Sequence, residues 1–253
     1  MPKPQGHLDV SIEGTKPIIA CVGPLDDYKE GDPTSKWQDK FRTGTKNLTD
    51  VDWYSSSGDR GGMVASEIDA TNKKTNGLAD CTSLIVTGIE KLKNGKMRNI
   101  SFLTHQDPKE FSHDNKYNRK EEFVTHLNKL LTEMKMRCIP GTIDAVLAGG
   151  SYVEKGVDIL GYPVANIQGY ENSVKIIGEE TKGILGFEPQ VVNGPNITYQ
   201  DDIYYDNDER RLYVIRPKVN PDVMNFPTSD LDKVKGDFPK SPEVKEQEKF
   251  PYS

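Results

Sequence analysis

Short runs of β-branched and apolar residues, separated by polar turns, recur along the chain and predict β-strands. Two of these runs, 81–89 and 98–104, flank Asn94-Gly95, a dipeptide typical of tight turns between antiparallel strands. The pattern therefore predicts a β-hairpin that ends before Asp107-Pro108. Further strands are predicted over 17–22, 143–148, 190–192, 197–205 and 211–215.

Two other segments have apolar residues three and four positions apart, the spacing of one face of an α-helix. The first helix is predicted over 121–136, with the apolar residues Phe123, Leu127, Leu130, Leu131 and Met134. A second helix is predicted over 166–185 and would stop at Gly186, because glycine commonly follows the last helical residue. Its apolar positions are Val174, Ile176, Ile177, Ile184 and Leu185.

The order of these elements predicts the α+β fold class, because strands come first and the helices stand among later strands. We expect a layered, β-sandwich-like core with antiparallel strands around residue 81 and flanking helices. Residues 1–216 would form a single domain, interrupted at about 23–74 by a long insert with little apolar periodicity. Residues 217–253 are rich in Pro, Lys, Asp and Glu and predict an extended or disordered tail.

Charge and hydropathy narrow the classes of partner. The formal net charge is −6, whereas proteins that bind nucleic acid usually carry a surplus of Lys and Arg. No stretch approaches the roughly 18 apolar residues of a membrane span, and no ordinary secretory signal opens the sequence. We therefore expect a cytoplasmic protein without a nucleic-acid or membrane partner. Delivery into a host or target cell would need a route that is independent of a signal peptide.

The three cysteines, Cys21, Cys81 and Cys138, are widely spaced and predict neither a disulfide framework nor a metal site of the CxxC type. Cys81 opens an apolar strand, and His105 closes the predicted hairpin. The outer ends of two antiparallel strands meet, so this thiol and this imidazole are predicted neighbours. An imidazole that takes the thiol proton makes cysteine a good nucleophile. The simpler alternative is that Cys81 is a small core residue.

The residues around this thiol resemble a known site. Thr75-x-Gly77-Leu78-x-x-Cys81, followed by an apolar strand, a turn, a second strand and His105, resembles the site of the bacterial chemoreceptor glutamine deamidases, the CheD family. It is also similar to the catalytic domain of cytotoxic necrotizing factors and of related glutamine-deamidating toxins. The strand that ends in Gly149-Gly150 and the predicted helix at 166–185 extend the resemblance, which covers about residues 75–215.

The resemblance implies a protein-glutamine deamidase, a cysteine-dependent amidohydrolase that converts glutamine to glutamate and releases ammonia. Cys81 would be the nucleophile and His105 the base, and Thr75 would orient the imidazole. The residues expected to bind substrate are Gly77, Leu78, Asp80, Thr82 and Gln106. The resemblance implies no metal and no cofactor. The expected partner is a protein with a target glutamine, as for a bacterial effector or toxin.

Two alternatives remain open. His105-Gln106-Asp107 together with His113-Asp114 can be interpreted as metal ligands. The fold could also be a catalytically inactive binding module, because the negative charge of Asp80 beside the thiol would raise the pKa of Cys81. The remaining candidates are interpreted as structural or solvated: His126 at a helix surface, and Cys21 and Cys138 packed at the ends of elements.

Overall fold

The structure is a computed structural model and describes residues 19–24, 47–51, 62–78, 81–107, 119–150, 167–193, 201–208 and 210–216. Within these ranges the chain is a mixed α+β fold of two five-stranded sheets and two helices. The strands are β1 (Ile19–Pro24), β2 (Leu48–Asp50), β3 (Met63–Ala65), β4 (Asn72–Leu78), β5 (Thr82–Lys91), β6 (Met97–Gln106), β7 (Asp144–Gly149), β8 (Gln190–Asn193), β9 (Asp201–Asp206) and β10 (Arg211–Arg216). The helices are α1 (Lys120–Arg137) and α2 (Ile167–Leu185).

The first sheet has the strand order β1-β10-β9-β4-β2. Its central strand β9 is antiparallel to both β10 and β4, and the edge strands β1 and β2 run parallel to their neighbours. The second sheet has the order β3-β6-β5-β7-β8, with β5 antiparallel to both β6 and β7. Thr82, the first residue of β5, pairs with Gln106 on one side and with Gly149 on the other.

Alternate residues of β5 and β6 enter two different apolar clusters, because successive side chains of a strand point to opposite faces. Leu84 and Phe102 belong to a cluster with the helices, which we call the helix-side cluster. Ile85 and Leu103 belong to a cluster with the first sheet, which we call the inter-sheet cluster. Residues of the first sheet in the inter-sheet cluster include Leu78, Ile203, Tyr205, Leu212 and Val214.

The predicted hairpin and both predicted helices are confirmed. The five apolar residues predicted for the first helix are the buried residues of α1. Gly186 follows α2 with φ 91°, and its N–H donates to the carbonyl oxygen of Lys182 at 2.9 Å. Residues 19–22 of the strand predicted over 17–22 lie in β1, and residues 17–18 lie outside the described residues. The strands predicted near 143–148, 190–192 and 211–215 are β7, β8 and β10. No helix in these parts of the chain is long and apolar enough to cross a membrane.

The segment 23–74 differs from the loop insert expected from the sequence, since β2, β3 and the start of β4 lie within it. The polar sequence of β4, NKKTNGL, concealed this strand. Lys73 of β4 is 0% exposed, and its Nζ is bonded to Asp69 at 2.6 Å and to Thr71. Because its charge is paired and its protons have acceptors, a lysine can occupy a buried strand position.

Candidate active site

The side chains of Thr75 and His105 meet between the two sheets. Oγ1 of Thr75, on β4, lies 2.8 Å from Nδ1 of His105, on β6. The same hydroxyl donates a hydrogen bond of 2.7 Å to the carbonyl oxygen of Val51. A threonine hydroxyl has one proton, so Thr75 accepts its second hydrogen bond from the Nδ1–H of His105. A neutral imidazole held in this way is the tautomer whose Nε2 carries the basic lone pair.

Burial strengthens this arrangement. Thr75 is 0% exposed and His105 is 2% exposed. A hydrogen bond between groups removed from water is costly to lose, because neither partner can turn to solvent instead. The orientation of the His105 ring is therefore determined by the first sheet, through the hydroxyl of Thr75 and the carbonyl of Val51.

Cys81 lies at the same end of the second sheet. It directly precedes β5, is partly exposed, and packs against the inter-sheet cluster. Its neighbour Thr82 pairs with Gln106, the residue after His105. Leu103 and His105 have the same parity along β6, and Leu103 belongs to the inter-sheet cluster. Cys81 and His105 therefore lie toward the same inter-sheet side, and direct contact between the thiol and the imidazole stays a prediction.

The end of β7 holds the backbone of Cys81. The N–H of Gly150 donates to the carbonyl oxygen of Cys81 at 2.8 Å. Gly149 has φ 87°, and a Cβ at this position would lie 3.0 Å from the same oxygen and 2.9 Å from Cδ1 of Leu78. Glycine alone tolerates both this conformation and this close approach. The Gly149-Gly150 pair thus fixes the chain on the carbonyl side of the thiol.

Three of the residues expected to bind substrate lie before Cys81. The N–H of Gly77 donates to Oδ1 of Asp202 at 2.9 Å, and Leu78 is 0% exposed in the inter-sheet cluster. Asp80 lies outside the described residues. Leu78 therefore packs in the inter-sheet cluster beside Gly149. Contact of Leu78 with a substrate stays a prediction.

Thr82 and Gln106, also expected to bind substrate, are buried at 0% exposure. Nε2 of Gln106 donates to Oγ1 of Thr82 at 2.9 Å, and its Oε1 accepts from Oγ1 of Thr104 at 2.6 Å. By strand alternation these side chains lie on the helix side, opposite to Ile85 and Leu103. The hydrogen bond between these two side chains joins β5 to β6 on the helix side of the sheet. Contact of either residue with substrate stays a prediction.

Cys138, the other cysteine whose side chain the structure describes, is more deeply buried than Cys81. Cys138 follows α1, is 6% exposed, and its burial raises the pKa of its thiol to about 12. It is therefore protonated at neutral pH and unsuited to nucleophilic attack. The side chain of Cys21 lies outside the described part of the chain, and His126 is a half-buried residue of α1.

The metal interpretation concerned His105, Asp107, His113 and Asp114. Within the ranges that the structure covers, no group of three or more His, Cys, Asp and Glu side chains is arranged to hold a metal ion. His113 and Asp114 lie outside those ranges.

Sequence reasoning missed Val51 and Asp202 as parts of this site. Val51 is 24 residues from Thr75, and Asp202 is 125 residues from Gly77. The first contact uses the backbone carbonyl of Val51, and the second uses the side-chain carboxylate of Asp202. The periodic pattern of apolar residues does not mark partners of either kind. Gly149-Gly150 did carry a signal, two consecutive glycines at the end of an apolar strand.

Replacing Thr75 with valine tests the hydrogen-bond chain. Valine has nearly the same shape but leaves the Nδ1–H of His105 and the carbonyl of Val51 without their partner, so we expect a loss of about 1–3 kcal/mol in unfolding free energy. Thr75→Ser keeps the hydroxyl and should retain most of the stability. Urea denaturation measures the stability, and ¹⁵N chemical shifts of His105 report its tautomer. Wild-type stability and an unchanged tautomer in Thr75→Val would contradict the assignment.

Comparison of the chain with models of known protein families gives no match, and no curated protein matches it significantly.

Proposed function

We propose that this protein is a protein-glutamine deamidase in which Cys81 is the nucleophile and His105 the general base. The observation that carries the proposal is the hydrogen-bond chain from His105 Nδ1 through Thr75 to the carbonyl of Val51. These hydrogen bonds leave Nε2 as the basic nitrogen of the buried His105 imidazole. His105 lies at the end of the hairpin, and the hairpin begins directly after Cys81, whose thiol is partly exposed. A nucleophile, a base and a group that orients the base are the parts that acyl transfer requires.

In the first half-reaction, Nε2 of His105 takes the proton of the Cys81 thiol, and the thiolate sulfur attacks the side-chain carbonyl carbon of a glutamine. The tetrahedral intermediate collapses as the carbon–nitrogen bond breaks. The imidazolium returns its proton to the departing nitrogen, which leaves as ammonia. The glutamyl group then remains attached to Cys81 as a thioester.

In the second half-reaction, His105 removes a proton from water, and the hydroxide attacks the thioester carbonyl. The carbon–sulfur bond breaks, glutamate is released, and the sulfur recovers a proton from the imidazolium. An amine in place of water would give transglutamination by the same steps. Backbone N–H groups near Cys81 would stabilise the oxyanion. The N–H of Gly150 is already engaged by the carbonyl of Cys81, so we assign it a structural role.

The fold proposed with this function is a layered, β-sandwich-like core. The inter-sheet cluster contains apolar residues of both sheets, and the helix-side cluster contains residues of β5, β6, β7 and both helices. This distribution supports one layer of apolar contacts between the sheets and a second between the second sheet and the helices. The site would then lie at one end of the inter-sheet layer.

The test is conversion of glutamine to glutamate in proteins exposed to the purified chain. Wild type, Cys81→Ser and His105→Ala are each incubated with protein extracts, and modified residues are identified by peptide mass spectrometry alongside released ammonia. We expect site-specific conversion with wild type only, because serine in place of cysteine lacks a readily ionised nucleophile. Addition of a primary amine to the incubation distinguishes deamidation from transglutamination by the mass of the product.

Equal conversion by wild type and Cys81→Ser would contradict the proposal. If wild type gives no conversion but a partner protein is retained by both wild type and Cys81→Ser, the chain is better described as a binding module with the fold of a deamidase.

A further inference from the structure

A β-bulge interrupts the pairing of β4 with β9 just before the thiol. Thr75 pairs with Ile203 and Leu78 pairs with Asp201, so two residues, Asn76 and Gly77, lie opposite the single residue between them on β9. Gly77 has φ 75°, the left-handed conformation that is typical of glycine in such bulges. The bulge therefore adds one residue to β4 between the two inward-facing side chains.

This extra residue changes which side chains face the site. In a regular strand, residues three positions apart point to opposite faces. Thr75 and Leu78 are three positions apart, yet both are 0% exposed: Thr75 meets His105, and Leu78 belongs to the inter-sheet cluster. Leu78 also flanks Gly149 beside the carbonyl oxygen of Cys81. The bulge thus lets one strand serve both the base and the approach to the nucleophile.

Asp202 is the residue of β9 that lies opposite the bulge, and it holds the bulge by its side chain. Its Oδ1 accepts the N–H of Gly77 at 2.9 Å. A bulge leaves its extra residue out of the regular ladder, and this carboxylate supplies an acceptor for it. The neighbouring cation is Lys74 of β4, which is itself paired with Asp50 of β2 at 2.7 Å.

We propose that Asp202 is a positioning residue of this site: its carboxylate holds the Gly77 bulge and thereby fixes Thr75 and Cys81 relative to each other. The inference rests on the proposed function, since it concerns the reactivity of the Cys81–His105 pair. Asp202 does not touch the reacting atoms and acts through the backbone of β4. Without this acceptor, Gly77 can leave the left-handed conformation. The side chains of Thr75 and Leu78, on the two sides of Gly77, would then no longer both point inward.

The experiment compares wild type with Asp202→Ala, Asp202→Asn and the control Asp206→Ala. Asparagine keeps an oxygen acceptor for the N–H of Gly77 but has no negative charge. In the wild type, burial of the Asp202 carboxyl raises its pKa. Asp206 lies on the same strand and accepts the N–H of Asp208, away from the bulge. The readout is the rate of iodoacetamide labelling at Cys81 as a function of pH, measured on the folded full chain. Circular dichroism verifies the fold of each variant.

We expect Asp202→Ala to label Cys81 about three- to tenfold more slowly near neutral pH, because a displaced imidazole stabilises the thiolate less and a smaller fraction of the thiol is ionised. Its labelling profile should also move to higher pH, which a mere loss of stability would not produce. Asp202→Asn and Asp206→Ala should behave as wild type. A folded Asp202→Ala with the wild-type profile overturns the inference, whereas a wild-type Cys81 that labels like an ordinary thiol overturns the proposed function itself.

Amide hydrogen exchange of Gly77 in the wild type gives a second reading that does not depend on whether Asp202→Ala folds. We expect the Gly77 amide to exchange at least about tenfold more slowly than an unprotected amide, because its hydrogen bond must open first. Exchange at the unprotected rate would overturn the role of Asp202 even if Cys81 proves reactive.

Discussion

Replacement of His105 with alanine is expected to raise the apparent pKa of the Cys81 thiol to the roughly 8.5 of a free cysteine. In the proposed pair, Nε2 of the tautomer held by Thr75 takes the thiol proton, and the resulting thiolate–imidazolium pair should titrate well below that value. Near neutral pH, the rate of iodoacetamide labelling at Cys81 should therefore fall at least about tenfold in His105→Ala. The measurement is peptide-resolved labelling across a pH series.

Two internal references make this result specific. Cys138 of the same molecule should stay unlabelled in the folded state, since its thiol is buried and its pKa is raised to about 12. His126→Ala removes an imidazole from α1, which packs on the helix side of the second sheet, whereas Cys81 packs against the inter-sheet cluster. This variant should leave the Cys81 profile unchanged. A Cys81 profile that is the same in wild type and His105→Ala would refute the catalytic pair.

The second large effect is expected from Gly149→Ala. The new methyl group would meet the carbonyl oxygen of Cys81 at 3.0 Å and Leu78 at 2.9 Å, in a residue with φ 87°. Left-handed strain contributes about 1–2 kcal/mol for an alanine, and the overlap should add about 1–3 kcal/mol. Because one of the obstructed atoms is the carbonyl oxygen of Cys81, labelling of Cys81 should slow as well.

Gly141→Ala is the matched control for Gly149→Ala. Gly141 has φ 80°, close to the φ of Gly149, but a Cβ there would meet nothing within 4 Å. It therefore carries the backbone strain without the collision, and Cys81 labelling should stay at the wild-type rate. Urea denaturation of both variants separates the two contributions. Equal losses of stability, with equal Cys81 labelling, would show that Gly149 is not a packing constraint on the thiol.

Local pattern predicted the hairpin and the helices well, because their signals lie within a few residues of each other. Asn94-Gly95 marks the turn, and the spacing of Phe123, Leu127 and Leu131 marks the buried face of α1. The placement of Cys81 and His105 at the same end of β5 and β6 followed from the hairpin alone, since the ends of paired strands must meet.

The first sheet was harder to predict because its strands near the site are short or polar. β2 of this sheet has three residues, too few to show an alternation, and the same holds for β3 at the edge of the second sheet. β4 contains Lys73, whose burial depends on Asp69 and Thr71 as partners, and Asp202 reaches Gly77 from 125 residues away. Such hydrogen bonds form only when the chain has folded and brought the polar partners together. The pattern of hydrophobic residues along the sequence does not predict them.

The alternation of faces along β5 and β6 determines which changes of length this site can accept. One residue inserted within β6 before His105 would turn that imidazole toward the helices and bring Gln106 to the inter-sheet side. Residues inserted in the turn between Lys91 and Met97, outside the paired strands, would leave both faces unchanged. Related chains are therefore free to differ in the number of residues between the thiol and the imidazole, provided that the difference lies in the turn. A search for such relatives should accordingly weigh the phase of each side chain within its strand and let the Cys-to-His separation vary.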